Sequence, residues 1–294
     1  MHTRKNVIAL FTCYVLWGFQ PLYWALLSHL DSFQILACRI VMAALFSVLI
    51  LGFTHRLSEL KALFQNRDMM KILLPATVFL LADWAIFIVV VNAGHVLDAS
   101  LGYYVTPLVL FAISVAIYKE RCTKVQLLSL AVAAIGVIVS TVAFGSFPWI
   151  ALIIAVNWAV YTALKKKVQI DGVLSIAAET LILTPFSIAF LAIFRHSEMA
   201  CLGGSEILLL IGSGIVTALP MFLYANSVVN FPLILMCFAQ YLGPTFNLIC
   251  GLIKHERFSS SQLVSFSFFL LAIVVFTAGE IKAMKKPGPS HTQP

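Results

Sequence analysis

Residues 101–127 read LGYYVTPLVLFAISVAIYKERCTKVQL, and residues 237–263 read CFAQYLGPTFNLICGLIKHERFSSSQL. Setting Tyr104 on Tyr241 sets Pro107 on Pro244. With one gap, Glu120-Arg121 then falls on Glu256-Arg257. Each copy is a proline-containing apolar helix, a short charged turn and a second apolar helix. One long unit placed once in each half of a chain points to a duplicated membrane domain.

Composition agrees. Of 294 residues, 61% are hydrophobic and 11% charged, with a mean hydropathy of +1.00. A soluble domain keeps about 25% charged residues to stay wetted, so the outer surface here is expected to face lipid. A hydrocarbon core takes roughly 20 apolar residues as helix. Ten such segments begin near residues 6, 33, 70, 97, 124, 147, 173, 205, 231 and 262, and they leave no room for a soluble domain. The first follows Arg4 and Lys5 but runs past Trp17, Gln20 and Trp24 without a small-residue cleavage site, so it is read as a retained helix. The net charge of +7 is assigned to orientation signals and anionic headgroups, with no nucleic-acid partner expected. Six cysteines without a CxxC or a ligand-spaced histidine suggest small apolar fillers; no metal and no cofactor are expected.

Positive charge sets the orientation. With the N-terminus inside, fifteen of nineteen basic residues are cytoplasmic, including Arg56, Lys61, Arg67, Lys71, Lys119, Arg121, Lys124 and the run Lys165, Lys166, Lys167. Arg195, Lys254 and Arg257 fall outside, and Arg39 lies within a helix. Five helices per half is an odd number, so the second half is inverted relative to the first. The expected fold is an all-α polytopic membrane protein of ten transmembrane helices in two inverted five-helix repeats, both termini cytoplasmic. Transporters of this plan hold their solute at the repeat interface. The link from Thr54 to Lys71 spaces Leu57, Leu60 and Phe64 at helical intervals and either lies on the inner headgroups or serves as a plain connector. The tail from Lys285 is basic, rich in Pro and Gly, and expected to be disordered.

An ionisable side chain inside a span costs several kcal/mol on insertion scales, about 3 at the helix centre, so each needs an account. Arg39 and Asp83 lie at a similar depth on sequential helices. Either they neutralise each other as an ion pair locking the helices, or Arg39 faces a cavity and meets an anionic group of the solute. Glu179 sits at the position equivalent to Arg39 in the second repeat, and no basic residue stands at a matching depth. It is therefore read as holding its proton, either as a coupling residue or as a neutral hydrogen-bonding group. Around these lie Trp17, Gln20, Tyr23 and Trp24; Asn157 and Tyr161; Tyr103 and Tyr104; and Gln240, Tyr241 and Asn247. Aromatic and amide groups suit an organic solute with flat and polar parts. Pro107 and Pro244 kink their helices at matched positions, as hinges or as packing bends.

The chain resembles the EamA-type branch of the drug/metabolite transporter superfamily called RarD. The resemblance rests on WGFQPLYW (17–24), Arg39 in CRIV, LDASLGYYVTPL (97–108), YTALKKK (161–167), AAETLILTP around Glu179, and QYLGPT (240–245). It implies EamA-like repeats over residues 1–145 and 146–284, a tail over 285–294, and a permease in the bacterial inner membrane. Such a permease carries small organic metabolites or drugs by alternating access, and the chloramphenicol-sensitivity label given to RarD proteins names a phenotype, not a solute. Its partners are the solute, the lipid bilayer and protons as a candidate driving ion, and it works as a monomer. RarD sequences often carry Lys where this chain has Ala25 and Asn where it has Asp83, which implies a solute of different charge. No HExxH, GxSxG or paired intramembrane aspartate supports an enzyme. A membrane receptor or scaffold would not need a duplicated inverted half, and a channel would be marked by very high flux.

Overall fold

A computed structural model describes residues 4–92, 96–144, 149–243, 245–246 and 260–285. Among the described residues every regular element is a helix. In chain order these are α1 (Arg4–Ala25), α2 (Ser32–Phe53), α3 (Leu57–Gln65), α4 (Arg67–Asn92), α5 (Val96–Ala116) and α6 (Lys124–Phe144). They continue as α7 (Trp149–Lys167), α8 (Gly172–Phe194), α9 (His196–Ala200), α10 (Gly204–Asn230), α11 (Leu233–Gln240) and α12 (Ser260–Lys285). Seven of these are long and apolar enough to cross a membrane: α1, α2, α4, α6, α7, α8 and α10. Shorter apolar helical stretches run over Leu101–Ala116 and Ser267–Gly279. The protein is all-helical with a membrane exterior. The second Glu-Arg turn, Pro244, Asn247 and the tail from residue 286 lie outside the described residues.

Apolar residues cover these helices on all sides, so period alone does not choose a buried face. Large apolar side chains such as Phe186, Ile193 and Leu208 are more than 70% exposed, which only a hydrocarbon surround makes favourable. Caps define the ends. Asp31 accepts from the amides of Phe33 and Gln34, both at 3.0 Å, and Asp171 accepts from Leu174 at 3.1 Å. Packing then crosses between the two halves of the chain. Helix α2 lies against α8 and α10, α5 against α7 and α11, α4 against α7, α1 against α10, and α6 against α12. The main core runs through α1, α2, α4, α5, α7, α8, α10 and α11.

The α2–α4 link does contain a helix. Leu60 and Leu63 of α3 are buried against Leu73, Leu174 and Ala178, while Leu57 and Phe64 point outward. The expected stripe of Leu57, Leu60 and Phe64 is therefore divided, because α3 docks on α8 with one face and leaves the other free. Arg56 fixes this dock by bonding Glu59 (2.7 and 2.8 Å) and reaching Asp171, the α8 cap. Those partners hold the guanidinium proton more tightly than usual, and the Arg56 bond keeps the Glu59 carboxyl below its ordinary range.

Close approach of α2 and α10 depends on Gly214. A Cβ there would stand 2.5 Å from the carbonyl carbon and oxygen of Met42. A backbone cannot yield as a flexible side-chain end can. Gly214→Val is expected to destabilise the protein by about 1–3 kcal/mol or more through overpacking. Gly204→Ala, with nothing within 4 Å of the added carbon, is the neutral control. Thermal unfolding in detergent measures the difference, and equal midpoints would refute this account of the packing.

Candidate functional site

One face of α1 carries Tyr14, Trp17, Pro21 and Trp24, spaced three or four residues apart, and these side chains form one wall of a cavity of about 220 Å³. Helix α2 adds Arg39, α4 adds Asp83, Trp84 and Phe87, and α5 adds Tyr103. From the second half come Trp158 of α7, Thr217 and Met221 of α10, and Gln240 with Gly243 at the end of α11. An apolar cavity of about 150 Å³ holds a benzene ring, so the space suits a small organic molecule. Four of the five tryptophans line it.

Aromatic rings close one end. Trp17 meets Trp158 edge-on with centroids 5.7 Å apart, and Tyr224 lies 5.0 Å from Trp17 and 5.3 Å from Trp158. The other lining groups, Trp24, Phe87 and Tyr103, belong to the last turns of α1, to the upper part of α4 and to the early part of α5. The cavity thus occupies the half of the bundle away from the lysine-rich turns.

The charged groups of the cavity lie near each other without forming a direct ion pair. Arg39 Cζ lies 4.2 Å from the centroid of the Trp84 ring and 5.5 Å from that of Trp24, a cation–π clamp. Its Nε has no hydrogen-bond partner, and the same holds for Asp83 Oδ1, the Tyr14 hydroxyl and Thr217 Oγ1. Among the described residues no ion pair within 4.0 Å joins Arg39 to Asp83, so of the two alternatives the locking pair is not formed and both side chains border the cavity. Matching depth brought both side chains to one cavity, but two indoles took the guanidinium. Asn157 sits behind the site: its amide donates to Phe79 O at 2.8 Å and lies beside the Asp83 carboxyl. Gln20 donates to Val216 O at 2.7 Å and ties α1 to α10.

Glu179 is elsewhere. Its Oε1 pairs with Lys165 Nζ at 2.8 Å, its Oε2 accepts from the Tyr161 hydroxyl at 3.1 Å, and Lys165 also donates to Ser175. Both charged side chains are buried, at 2% and 0% exposure. The expectation of an unpartnered Glu179 was therefore wrong. Counting depth by residue placed Lys165 at the helix end and ignored its reach. Glu179 stands seven residues into α8, about 10 Å along its axis, and a four-carbon lysine stem folding back from the last turn of α7 covers the gap. Without an unpartnered carboxyl, the reason for reading Glu179 as the coupling residue disappears.

Tyr104 and Tyr241 also leave the site. They stack with Phe269 at 4.0 and 5.6 Å and with each other at 6.5 Å, joining α5, the end of α11 and α12 as packing. Pro107 lies inside α5, away from the cavity lining. Sequence reading missed Tyr14, Trp84, Phe87, Trp158, Thr217 and Met221. Trp84 and Trp158 carried a usable signal, since tryptophan favours the membrane interface and these two lie deep in their spans.

The fold and this cavity are those of a helical membrane protein with a site for a small organic molecule, and the chain belongs to the EamA-like transporter family, whose family model matches residues 4–142. It is 35% identical to the uncharacterized transporter YojE of Bacillus subtilis over 98% of both chains. It is also 30% identical to the protein RarD of Escherichia coli over 97% of each. A solved crystal structure with 16% identity superposes with a TM-score of 0.72, covering 95% of this chain and 98% of that one, which speaks for the fold alone. The protein is thus a RarD-like multi-pass transporter with bacterial homologues, and it is not an enzyme.

Breaking one side of the Lys165–Glu179 pair leaves a charge buried without its partner. Lys165→Met is expected to destabilise the protein by about 3–5 kcal/mol. Adding Glu179→Leu to Lys165→Met restores most of that loss. Thermal unfolding of the three proteins in detergent checks this; a double variant as unstable as the single one would contradict the pairing.

Proposed function

We propose that the chain carries a small organic solute through the tryptophan-lined cavity by alternating access. In this reading residues 1–145 and 146–284 are inverted five-helix repeats, making ten spans in the bacterial inner membrane with both termini cytoplasmic. The observation that carries it is the position of the cavity at the junction of the halves, where Arg39 and Asp83 border one space without a direct ion pair and each keeps an unpartnered atom.

Packing supports the inverted repeat. Aligning Tyr104 with Tyr241 makes α1 and α7, α2 and α8, α4 and α10, α5 and α11, and α6 and α12 counterparts. The α4–α7 contact then has the α1–α10 contact as its image, while α2–α8, α5–α11 and α6–α12 are contacts of counterparts with each other. The clustering of Arg56, Lys71, Lys119, Lys166 and Lys167 at one end of the bundle supports a cytoplasmic assignment for that end. The lining favours a solute with a flat apolar part, seated among the indoles, and polar ends that take up Arg39 Nε, Asp83 Oδ1 and the Tyr14 hydroxyl.

Proteoliposomes of wild type, Arg39→Ala and Asp83→Asn, offered a bacterial cell extract with and without a pH gradient, test the reading by mass spectrometry of what accumulates. Wild type is expected to enrich a small set of solutes. Both variants are expected to lose about ten- to hundredfold, the scale of a hydrogen bond to a charged group. Dependence on the gradient would identify protons as the driving ion. Equal accumulation by folded wild type and both variants would remove the cavity from the transport path.

A further inference from the structure

The first Glu-Arg turn does something that neither the cavity nor the sequence motif accounts for. After α5 the chain reverses at Lys119, whose φ of 52° is left-handed, and Glu120 N donates back to Ser114 O at 3.1 Å. This turn sends the Glu120 side chain into the second half of the molecule. Its Oε1 accepts from Leu233 N at 2.9 Å, and its Oε2 accepts from Ile234 N at 3.0 Å and from Ser114 Oγ at 2.8 Å. Leu233 and Ile234 open α11, where Pro232 as N-cap has no side chain able to accept those amides. A carboxylate 113 residues away supplies the cap and meets the positive end of the helix.

The other side of the same break is held by a cation. Lys166 Nζ donates to Val229 O at 3.1 Å and Phe231 O at 2.6 Å, the carbonyls at the end of α10. Cation on carbonyls and anion on amides both follow the helix dipoles. The α10–α11 turn, Phe231–Pro232, is thus gripped from α7 on one side and from the α5–α6 turn on the other. Tyr118 ties that turn to α7 through Ala163 O at 2.5 Å. All of this lies at the lysine-rich end, opposite the cavity. Beyond it α11 buries Leu233, Met236, Cys237 and Phe238 and ends at Gln240, a cavity-lining residue.

We infer that Glu120 and Lys166 are positioning residues of a gate at the lysine-rich end, holding α11 docked while the cavity lies toward the opposite face. The inference rests on the alternating-access reading. For the cavity to reach the lysine-rich side, α11 must part from α5, and a short helix hinged at Pro232 parts once its cap is released. The grip is polar and sits at the protein's end, where water replaces the lost bonds, so release is reversible. Apolar packing alone along α11 would offer no such discrete catch.

Native cysteines report on it without a substrate. Cys237 in α11 is fully buried, Cys122 beside the latch is exposed, and Cys38 in α2 is buried near the opposite end. Membrane vesicles exposing the lysine-rich face, treated with N-ethylmaleimide and read peptide by peptide by mass spectrometry, give a rate for each. Glu120→Gln and Lys166→Met are expected to speed Cys237 alkylation about ten- to hundredfold, the factor set by one charge-assisted hydrogen bond, with Cys38 unchanged and Cys122 rapid throughout. An unchanged Cys237 rate in both variants overturns the gate. A parallel rise at Cys38 and Cys237 also overturns it, since that reports general loosening. Lys166→Met carries the test alone if Glu120→Gln fails to reach the membrane. Labelling needs no transport, so a wild type that moves no solute would refute alternating access while leaving the latch result readable.

Discussion

Hydrocarbon offers no hydrogen bonds, and every charged or polar group that this chain places in its spans must find its partner within the protein. The helices satisfy their own backbones, and their buried hydroxyls largely bond back to the preceding turn. Ser47 donates to Ala43 O, Thr106 to Gly102 O, Thr162 to Trp158 O and Thr180 to Ile176 O. The longer ionisable side chains cannot close on their own helix. Each has a different solution, and the difference separates what holds the bundle from what works in it. Lys165 and Glu179 saturate each other with the help of Tyr161 and Ser175. Arg39 and Asp83 remain apart, one clamped by indoles and the other beside an amide, each with an atom left over.

That contrast links the parts of the structure. Trp158 belongs to the cavity wall and also packs at 5.1 Å on Tyr161, which in turn donates to Glu179. The aromatic end of the cavity is therefore built directly on the saturated pair. A rigid base under an unsaturated site is the arrangement expected where polar groups are to be completed by a ligand rather than by neighbours. Helix α11 adds the movable element. It is short, follows a proline break and contributes to the cavity at its far end, so its two ends belong to different tasks.

The fold class was legible because lipid exposure and charge bias are properties of whole segments. Among the described residues seven of the ten apolar segments form helices long enough to span, the ninth is described as a helix only over Leu233–Gln240, and even α3 was foreshadowed by the spacing of Leu57 and Leu60. The site was half legible. Arg39, Asp83, Trp17, Gln20 and Gln240, which line the cavity, stood out in the sequence since a polar or aromatic group in a span is rare whatever its surroundings. Tyr104 and Tyr241 misled because their repeat match reflects the meeting of α5 and α11 around Phe269, a packing demand that duplicated sequence records as faithfully as function. Glu179 misled for another reason. Depth along a helix axis is a one-dimensional measure, and the reach of Lys165 across a short link is not contained in it.

The three adjacent lysines at the end of α7 show what that reach implies for the birth of the protein. Successive residues on a helix point about 100° apart, and Lys165, Lys166 and Lys167 go respectively into the core, onto the α10–α11 turn and into the open. Orientation in the membrane is read from basic residues while helices are being inserted, before they pack. Under the cytoplasmic assignment, all three lysines count toward retention at that stage. Afterwards Lys165 is buried, Lys166 is half-buried against the turn and Lys167 stands exposed. The same short run therefore acts twice, first as an address read during synthesis and later as joinery, with one lysine taken into the core and one braced on a turn.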